Sequence, residues 1–548
     1  MKRKTKRLFL LCALLLAFPH ATYAQPESLH PDVSIRQFKL VGAQSIRIAY
    51  NPADDLLYYL QLPGQIFALD PITAERQQVA SSVDHGITVA VGFAIATDGT
   101  FFVVGNPTRG GNNIGVIVRG ELNGDQRVWS TVAETEPYAR STGRDHKFNA
   151  IEVSPDGQYL LVNSGSRTDH GEAQNDGREH PITSAIFRLP IDTRDLFLPN
   201  DEEALKDYLY ADGVRNSFDM AFAPNGDLFA TENSDTRDNP EELNWIRPRH
   251  HYGFPWRIGT EDTPQQFADF DPPDSDMLLV PGINMEGTFY NDLDYLPPPA
   301  GVVFTDPVLN VGPDADHFRD SADGLIKDAS DEGVKLGTFT PHSSPLGLVF
   351  DVDMKLGAEF TGDGFCLSQN DSTLRKYAPF LDPGEDLLHL ELTKIADEER
   401  YEVRIKRLLR GFTSPVDAVL LDHKIFVIEW DGSGKIWEIT LPLRMATAVS
   451  EAPTLPRSFT LAPNYPNPFN ASTTISYTLP HDGHVRLAIY DASGQKVDQL
   501  LDQRHLGGSY RISWDGTDRE QRRVASGLYF SILEFGDQRQ IRKMLLLK

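Results

Sequence analysis

The sequence predicts an all-β chain, a six-bladed β-propeller followed by a small immunoglobulin-like β-sandwich. Six loosely similar units recur between residues 30 and 442, each an apolar strand, a turn bearing Asp, Asn or Gly, a second strand and often a third. Radial repetition of small sheets leaves few exposed edges and is the pattern of a propeller. Helical periodicity is nearly absent, with EEALKDYLYA at 202–211 the best short candidate. The last stretch, from residue 464, is a series of alternating apolar and polar segments bounded by Gly, Asn, Asp or Pro, which reads as short antiparallel strands.

Taken in order, residues 1–24 combine five basic residues, an apolar run from Leu8 to Phe18 and small residues at Thr22 and Ala24. This is the form of a secretory signal peptide cleaved after Ala24; the apolar run is too short for a membrane anchor. Residues 25–442 hold the six units: one beginning near Ser45, one near Gly92, then FNAIEVSPDGQYLLVNSGSR, SFDMAFAPNGDLFATEN, PLGLVFDVDMKLGAEFTGDGFCLSQ and PVDAVLLDHKIFVIEWDGSGKIWEITLP. In the fourth, Asn225-Gly226 marks a hairpin turn. The interval from Pro255 to Pro341 is too long for one blade and rich in Pro, Asp and Gly. It is expected to form loops that wall the site on one face. A Pro-rich linker, 443–463, precedes the sandwich at 464–548.

With 52 Lys and Arg against 78 Asp and Glu, the net charge is -26, and loss of the basic leader makes it more negative. Such a field repels nucleic-acid phosphates and anionic membranes. No later segment is apolar over a spanning length, so a soluble exported protein is expected. Cys12 leaves with the leader, which leaves Cys366, inside the apolar GFCL, as a buried small hydrophobe without a disulfide partner in the chain.

The chemistry is expected where blade loops meet the central axis. Asp145-His146 stands immediately before the third unit. A carboxylate beside an imidazole can hold it in one tautomer, with the other nitrogen turned to a substrate hydroxyl. Read alone, a single His in a chain with 15 of them is more often structural. Arg215, before the fourth unit, is placed to stabilise growing negative charge or grip a carboxylate, or else to make an ordinary ion pair. Asn216 orders the turn. The loop from Asp235 to Glu242 carries Asp235, Asp238, Glu241 and Glu242, a density that suits calcium and that is equally the composition of a solvated charge run. His342 heads the fifth unit as His146 heads the third, as a substrate ligand or a strand cap.

The stretch VRNSFDMAFAPNGDLFATENSDTRDNPEELNWIRPRHHYGFPW, with Arg-Asn before the hairpin, Glu-Leu-Asn after it and Tyr-Gly-Phe-Pro beyond, resembles the glucose/sorbosone dehydrogenase family of soluble quinoproteins. The resemblance implies oxidation of an aldose to its lactone with pyrroloquinoline quinone (PQQ) and calcium, a small sugar as substrate and a separate electron acceptor. It implies His146 as base, with Asp145 and Arg215 as its catalytic companions. Arg215, Asn216, Ser234, Asp235 and His342 are then expected around the cofactor, and Glu242 and Tyr252 at a calcium ion. The chain departs from the family at Ser217-Phe218-Asp219, where Pro-Gln-Gly is usual, at Ser234-Asp235, and at FTSPVDAV near the last blade, where an Arg-x-Arg pair is often found. A carbohydrate-binding propeller without redox chemistry, or a metal-dependent lactonase whose acids converge in the central tunnel, are the alternatives. The C-terminal segment, with Asn-Pro-Phe-Asn, Ile-Tyr-Asp, Ser-Gly-Leu-Tyr and a basic end, resembles the sorting domain of the type IX secretion system. That resemblance implies export through the periplasm to the cell surface or beyond.

Overall fold

The computed structural model describes residues 25–547 apart from 141–145, 174–176, 236, 268–275, 279–294, 296, 371–379, 381, 396–398, 431, 445–458, 463, 465–466, 471–472, 482, 506–507, 520–521 and 537. The leader and Asp145 therefore lie outside the described residues, as does most of the linker. The chain divides into two compact units, one ending at Arg444 and the other starting at Met445. Thr460–Leu461, read as linker, instead pair with Tyr477 and Thr478 as an edge strand of the second unit.

The first unit is built of six larger, mainly antiparallel sheets among the described residues. Their first strands are Ser45–Asn51, Ala90–Ile95, Phe148–Val153, Ser217–Phe222, Pro345–Phe350 and Pro415–Leu421. Each of these packs against the next, and the sixth packs against the first, so the six strands form a closed cycle. Close approach of neighbouring strands is needed for this. A Cβ on Gly92 would lie 2.0 Å from the Asn149 carbonyl oxygen of the next first strand, so only glycine fits there. The cycle is closed by main-chain pairing as well: Ser34–Leu40, from the N-terminal end, pairs with Lys435–Thr440 as the outer strand of the last sheet.

Apolar side chains fill the spaces between sheets. Ile46, Leu57 and Tyr59 of the first sheet share a buried cluster with Phe426, Ile428 and Ile436 of the last, and Phe102 and Val104 meet Phe148 and Phe187 across the next interface. Burying such side chains is worth about 1.5–3 kcal/mol each before entropy is counted. Cys366 is fully buried in one of these interfaces, as its apolar context suggests, and burial pushes its thiol pKa up. The helix expected at 202–211 is reduced to one turn, Glu202–Leu205, capped by the Asp201 side chain; the chain then pairs Leu209–Asp212 with Ala185–Pro190, because that edge strand was unpaired.

The interval 255–341 is not bare loop. Its described part contains the small hairpins Arg257–Ile258/Glu261–Asp262 and His317–Arg319/Ile326–Asp328, and Leu309–Pro313 runs parallel to the strand Arg400–Arg410. Among its described residues the second unit has two antiparallel sheets, Thr460–Leu461, Thr473–Leu479 and Gly508–Trp514 in one and Gly483–Asp491, Lys496–His505, Gly527–Phe535 and Gln538–Leu546 in the other. Ile475, Tyr477 and Trp514 of the first sheet share one core with Val485, Leu487, Ile489 and Leu533 of the second.

Candidate functional site

His146, Arg215 and His342 each precede a first strand, so the cyclic arrangement brings their loops to the same end of the first unit. The third and fourth sheets are stitched there by main-chain bonds, His146 N–H to Ser166 O at 2.9 Å and Ser166 N–H to Arg215 O at 2.6 Å. Gly165 permits this contact, since a Cβ would come within 2.5 Å of the His146 Cβ.

His146 is half-buried, with Nδ1 2.9 Å from the Ser166 hydroxyl oxygen. That hydroxyl donates its own proton to the Thr168 carbonyl at 2.7 Å, so it can only accept from the imidazole. The proton therefore resides on Nδ1 and the basic lone pair on Nε2. Ser166 thus holds the imidazole in one tautomer; Asp145, to which the sequence reading gives that part, lies outside the described residues.

Arg215 is buried. Its guanidinium donates to the Asp169 carboxylate, to the Asp169 carbonyl at 3.0 Å and to the Asn233 carbonyl at 2.9 Å. Asp169 lies 3.4 Å from Nδ1 of His170, whose Nε2 lies 3.6 Å from Asp235. All four groups are buried, forming a line of alternating basic and acidic side chains. Burial pushes the Asp235 pKa up and the neighbouring His170 partly offsets it. Asn216 is held in a run of amides: it accepts from Asn149 and donates to Asn233, both at 2.8 Å, and Asn149 accepts from Asn163 at 2.7 Å. Its side chain orders the loop. Ser234 donates through its amide to Glu241 at 3.3 Å.

The acidic loop is not a solvated run, since Asp235, Asp238, Glu241 and Glu242 are all buried. Glu242 faces Glu232 directly across paired strands, a like-charge pairing that is unfavourable without a proton or a cation between. Burial, reinforced by Glu232, pushes Glu242 up to about 8. Glu232 is pushed up by burial to about 7, although it accepts from the amides of Arg215 and Asn216 and the hydroxyl of Ser217. The two carboxylates, Arg215 and Tyr252 border a cavity of about 10 Å³, room for one water or ion. The Tyr252 hydroxyl is engaged elsewhere, donating to Trp245 O at 2.6 Å and accepting from Arg247 N at 2.8 Å. Any part it takes at a metal is confined to its main-chain carbonyl.

His342 sits with a left-handed backbone, φ 62°. Its Nε2 is 2.8 Å from Asp238, which also accepts from Arg319 Nε at 2.6 Å. It is thus tied to the acidic loop.

A second feature opens at the other end of the first strands, where a cavity of about 920 Å³ is lined by all six of them. Inside it, Arg47 lies 3.5 Å from Asp219 and 3.8 Å from Asp417. Asp417 is pushed up by burial, and further by Asp219, to about 8, and the same causes raise the nearby Glu152.

Sequence reading missed Glu232, the second Asp-His pair at Asp169-His170, and the channel group. Glu232 had a visible signal, an acid ending the otherwise apolar strand Leu228–Glu232. Asp169-His170 follows the strand of the third unit by five residues and is visible only once that strand's exit is placed beside Arg215.

Residues 67–276 match the family model described as Glucose / Sorbosone dehydrogenase, and residues 464–547 match Secretion system C-terminal sorting domain. Among solved structures, the chain is similar to the soluble aldose sugar dehydrogenase of Escherichia coli in its apo form, at 13% identity over 75% of this chain and 99% of that one, TM-score 0.48. It is also similar to the PQQ-bound aldose sugar dehydrogenase of Streptomyces coelicolor, at 16% identity over 76% and 99%, TM-score 0.43. A putative gluconolactonase aligns at 12% identity over 77% and 99%, TM-score 0.35. Comparison with curated proteins returns no match. The sorting tail indicates a secreted or cell-surface protein, and no helix among the described residues is long and apolar enough to cross a membrane. Residues 67–276 are thus similar to the glucose/sorbosone dehydrogenases, and residues 464–547 to a secretion system C-terminal sorting domain.

Proposed function

We propose that the chain is an exported quinoprotein-type oxidoreductase, a six-bladed propeller joined to an immunoglobulin-like sorting sandwich read by the type IX machinery. It oxidises an aldose at the anomeric carbon to the lactone, using PQQ and calcium. The observation that carries this reading is the tautomer of His146, with Nδ1 donating to Ser166 and the lone pair left on Nε2. Nε2 takes the proton of the anomeric hydroxyl while that oxygen becomes a carbonyl and the hydrogen on carbon leaves with its electron pair. When bound, PQQ supplies the two-electron acceptor for that hydride. Arg215 holds a fixed positive charge on the same face as this reaction.

The donor set fits a cofactor bearing carboxylates only in company with a cation. Arg215 is already balanced by Asp169, and Asp235 and Glu241 add buried acids. Arg215, Asn216, Ser234, Asp235 and His342 would line the quinone, and a divalent cation would offset the acids. The opposed pair Glu232 and Glu242, with the Tyr252 carbonyl, fits calcium by its oxygen donors.

A metal-dependent lactonase is the second reading, because Glu152, Asp219 and Asp417 do meet in the central channel. Arg47 stands among those acids, where a catalytic cation would need to be, and this disfavours it.

The test is dye-linked oxidation of a panel of aldoses by the mature chain after addition of PQQ and calcium. His146→Ala is expected to lower the rate by roughly 10²–10⁴-fold while the quinone stays bound. An unchanged rate would contradict the assignment.

A further inference from the structure

The hairpin His317–Arg319/Ile326–Asp328 belongs to the interval that the candidate site does not otherwise explain. Its register places His317 directly opposite Asp328, with Nε2 and Oδ2 4.0 Å apart. That is too long for a hydrogen bond. Asp316 joins them, and one donor atom from each of the three lies within 4.8 Å of the others. Two ligands each about 2.1 Å from one ion sit roughly 3–4 Å apart, so a small inward movement brings all three into one coordination sphere.

Both carboxylates are half committed. Asp328 caps the turn Ala329–Glu332: its Oδ1 accepts from the Asp331 amide at 3.0 Å and the Ser330 hydroxyl at 2.8 Å. Asp316 Oδ2 accepts from the Ser330 amide at 3.1 Å. The remaining oxygen of Asp316 is a separate sign of a ligand: the residue is 1% exposed, and Oδ1 is buried with no hydrogen-bond partner. A buried acceptor without a donor is unfavourable, and a cation is one way to satisfy it. The helical turn fixes the carboxylates as outer hydrogen bonds fix metal ligands. His317 and Asp328 are partly exposed, which leaves a path for an ion to enter.

We propose that Asp316, His317 and Asp328 bind a divalent transition-metal ion of the zinc or manganese kind, which clamps the base of this hairpin. Two carboxylate oxygens and an imidazole nitrogen suit such an ion, with water completing its shell, whereas calcium calls for six to eight oxygens. The clamp lies two residues from Arg319, whose guanidinium holds Asp238 against His342. Loading the ion therefore steadies the candidate site from outside it, and the role is structural.

The test uses the full mature chain, stripped with EDTA and titrated with Mn²⁺ in excess Ca²⁺, which fills the site at Glu232 and Glu242. The readouts are Mn²⁺ binding by electron paramagnetic resonance and ¹⁴N coupling to the bound ion by electron spin-echo modulation. One equivalent with imidazole nitrogen coupling, displaced by Zn²⁺, is expected in the wild type and in Glu242→Gln. In His317→Gln the coupling should vanish and affinity should fall at least tenfold. Asp328→Asn keeps the helix cap and should lose affinity similarly, serving if His317→Gln does not fold. No coupled Mn²⁺ in the wild type, coupling that survives His317→Gln, or unchanged affinity in Asp328→Asn would overturn the proposal. Persistence of the coupling in Glu242→Gln separates this site from the calcium reading.

Discussion

Arg47→Met is expected to destabilise the first unit by about 3–5 kcal/mol, the range for removing one partner of a buried ion pair. The side chain is 4% exposed and ties four first strands together. From Ser45–Asn51 it donates Nε to Val91 O at 2.9 Å and Nη2 to Phe218 O at 2.6 Å, and it faces Asp219 and Asp417. Methionine keeps much of the apolar volume over Phe218, so the loss is chiefly of charge and of two hydrogen bonds, each worth about 1.5–3 kcal/mol when the donor is charged. The effect should depend on pH. Burial has already pushed Asp417 up to about 8. A carboxyl raised in the folded state contributes stability that is fully present below its unfolded value, about 3.9, and is lost as pH rises through about 8. Arg47 opposes that rise, so without it the acids meet alkaline conditions with no counter-charge. Urea unfolding followed by near-ultraviolet circular dichroism at pH 5.5 and pH 8 should show a deficit in both, larger at pH 8. Equal midpoints for the two proteins, or a larger deficit at pH 5.5, would refute the reasoning.

Ser166→Ala removes the acceptor that fixes the His146 tautomer and is expected to lower kcat roughly tenfold or more, since positioning of the base contributes to general-base catalysis, with a shifted acid limb of the pH profile; an unaltered profile would show that Ser166 plays no such part. Calcium should raise the melting temperature more at pH 8.5 than at pH 6, because Glu242 and Glu232, pushed up to about 8 and about 7, must shed protons to bind it. Glu242→Gln should abolish that calcium-dependent shift, as differential scanning fluorimetry would register.

Repetition and strand patterning carried the architecture, because each sheet's apolar alternation is local. The hairpin at Asn225-Gly226 is an instance: the Gly226 backbone at φ 86° is a position few other residues take. The first-strand cycle depends on which sheets neighbour each other in space, which no single unit encodes. The same limit explains the site. His146 and Arg215 were legible from their places ahead of strands, but Ser166 lies 20 residues from His146 and Asp169 lies 46 from Arg215. The departures from the family pattern also gain a physical reason. Ser217 donates to Glu232, Phe218 lies under Arg47 at 4.2 Å, and Asp219 and Asp417 face that same guanidinium. Asp219 and Asp417 line the large cavity, whereas Ser217 is engaged with Glu232 at the other end of the strand.

PQQ binding by the mature chain, measured by calorimetry with and without calcium, bears most directly on the proposed function. Tight binding that requires calcium and brings quinone absorbance with it is the result the account predicts. No heat and no quinone absorbance at saturating calcium, in a protein that is folded by circular dichroism, would contradict it and leave a carbohydrate-binding propeller in its place.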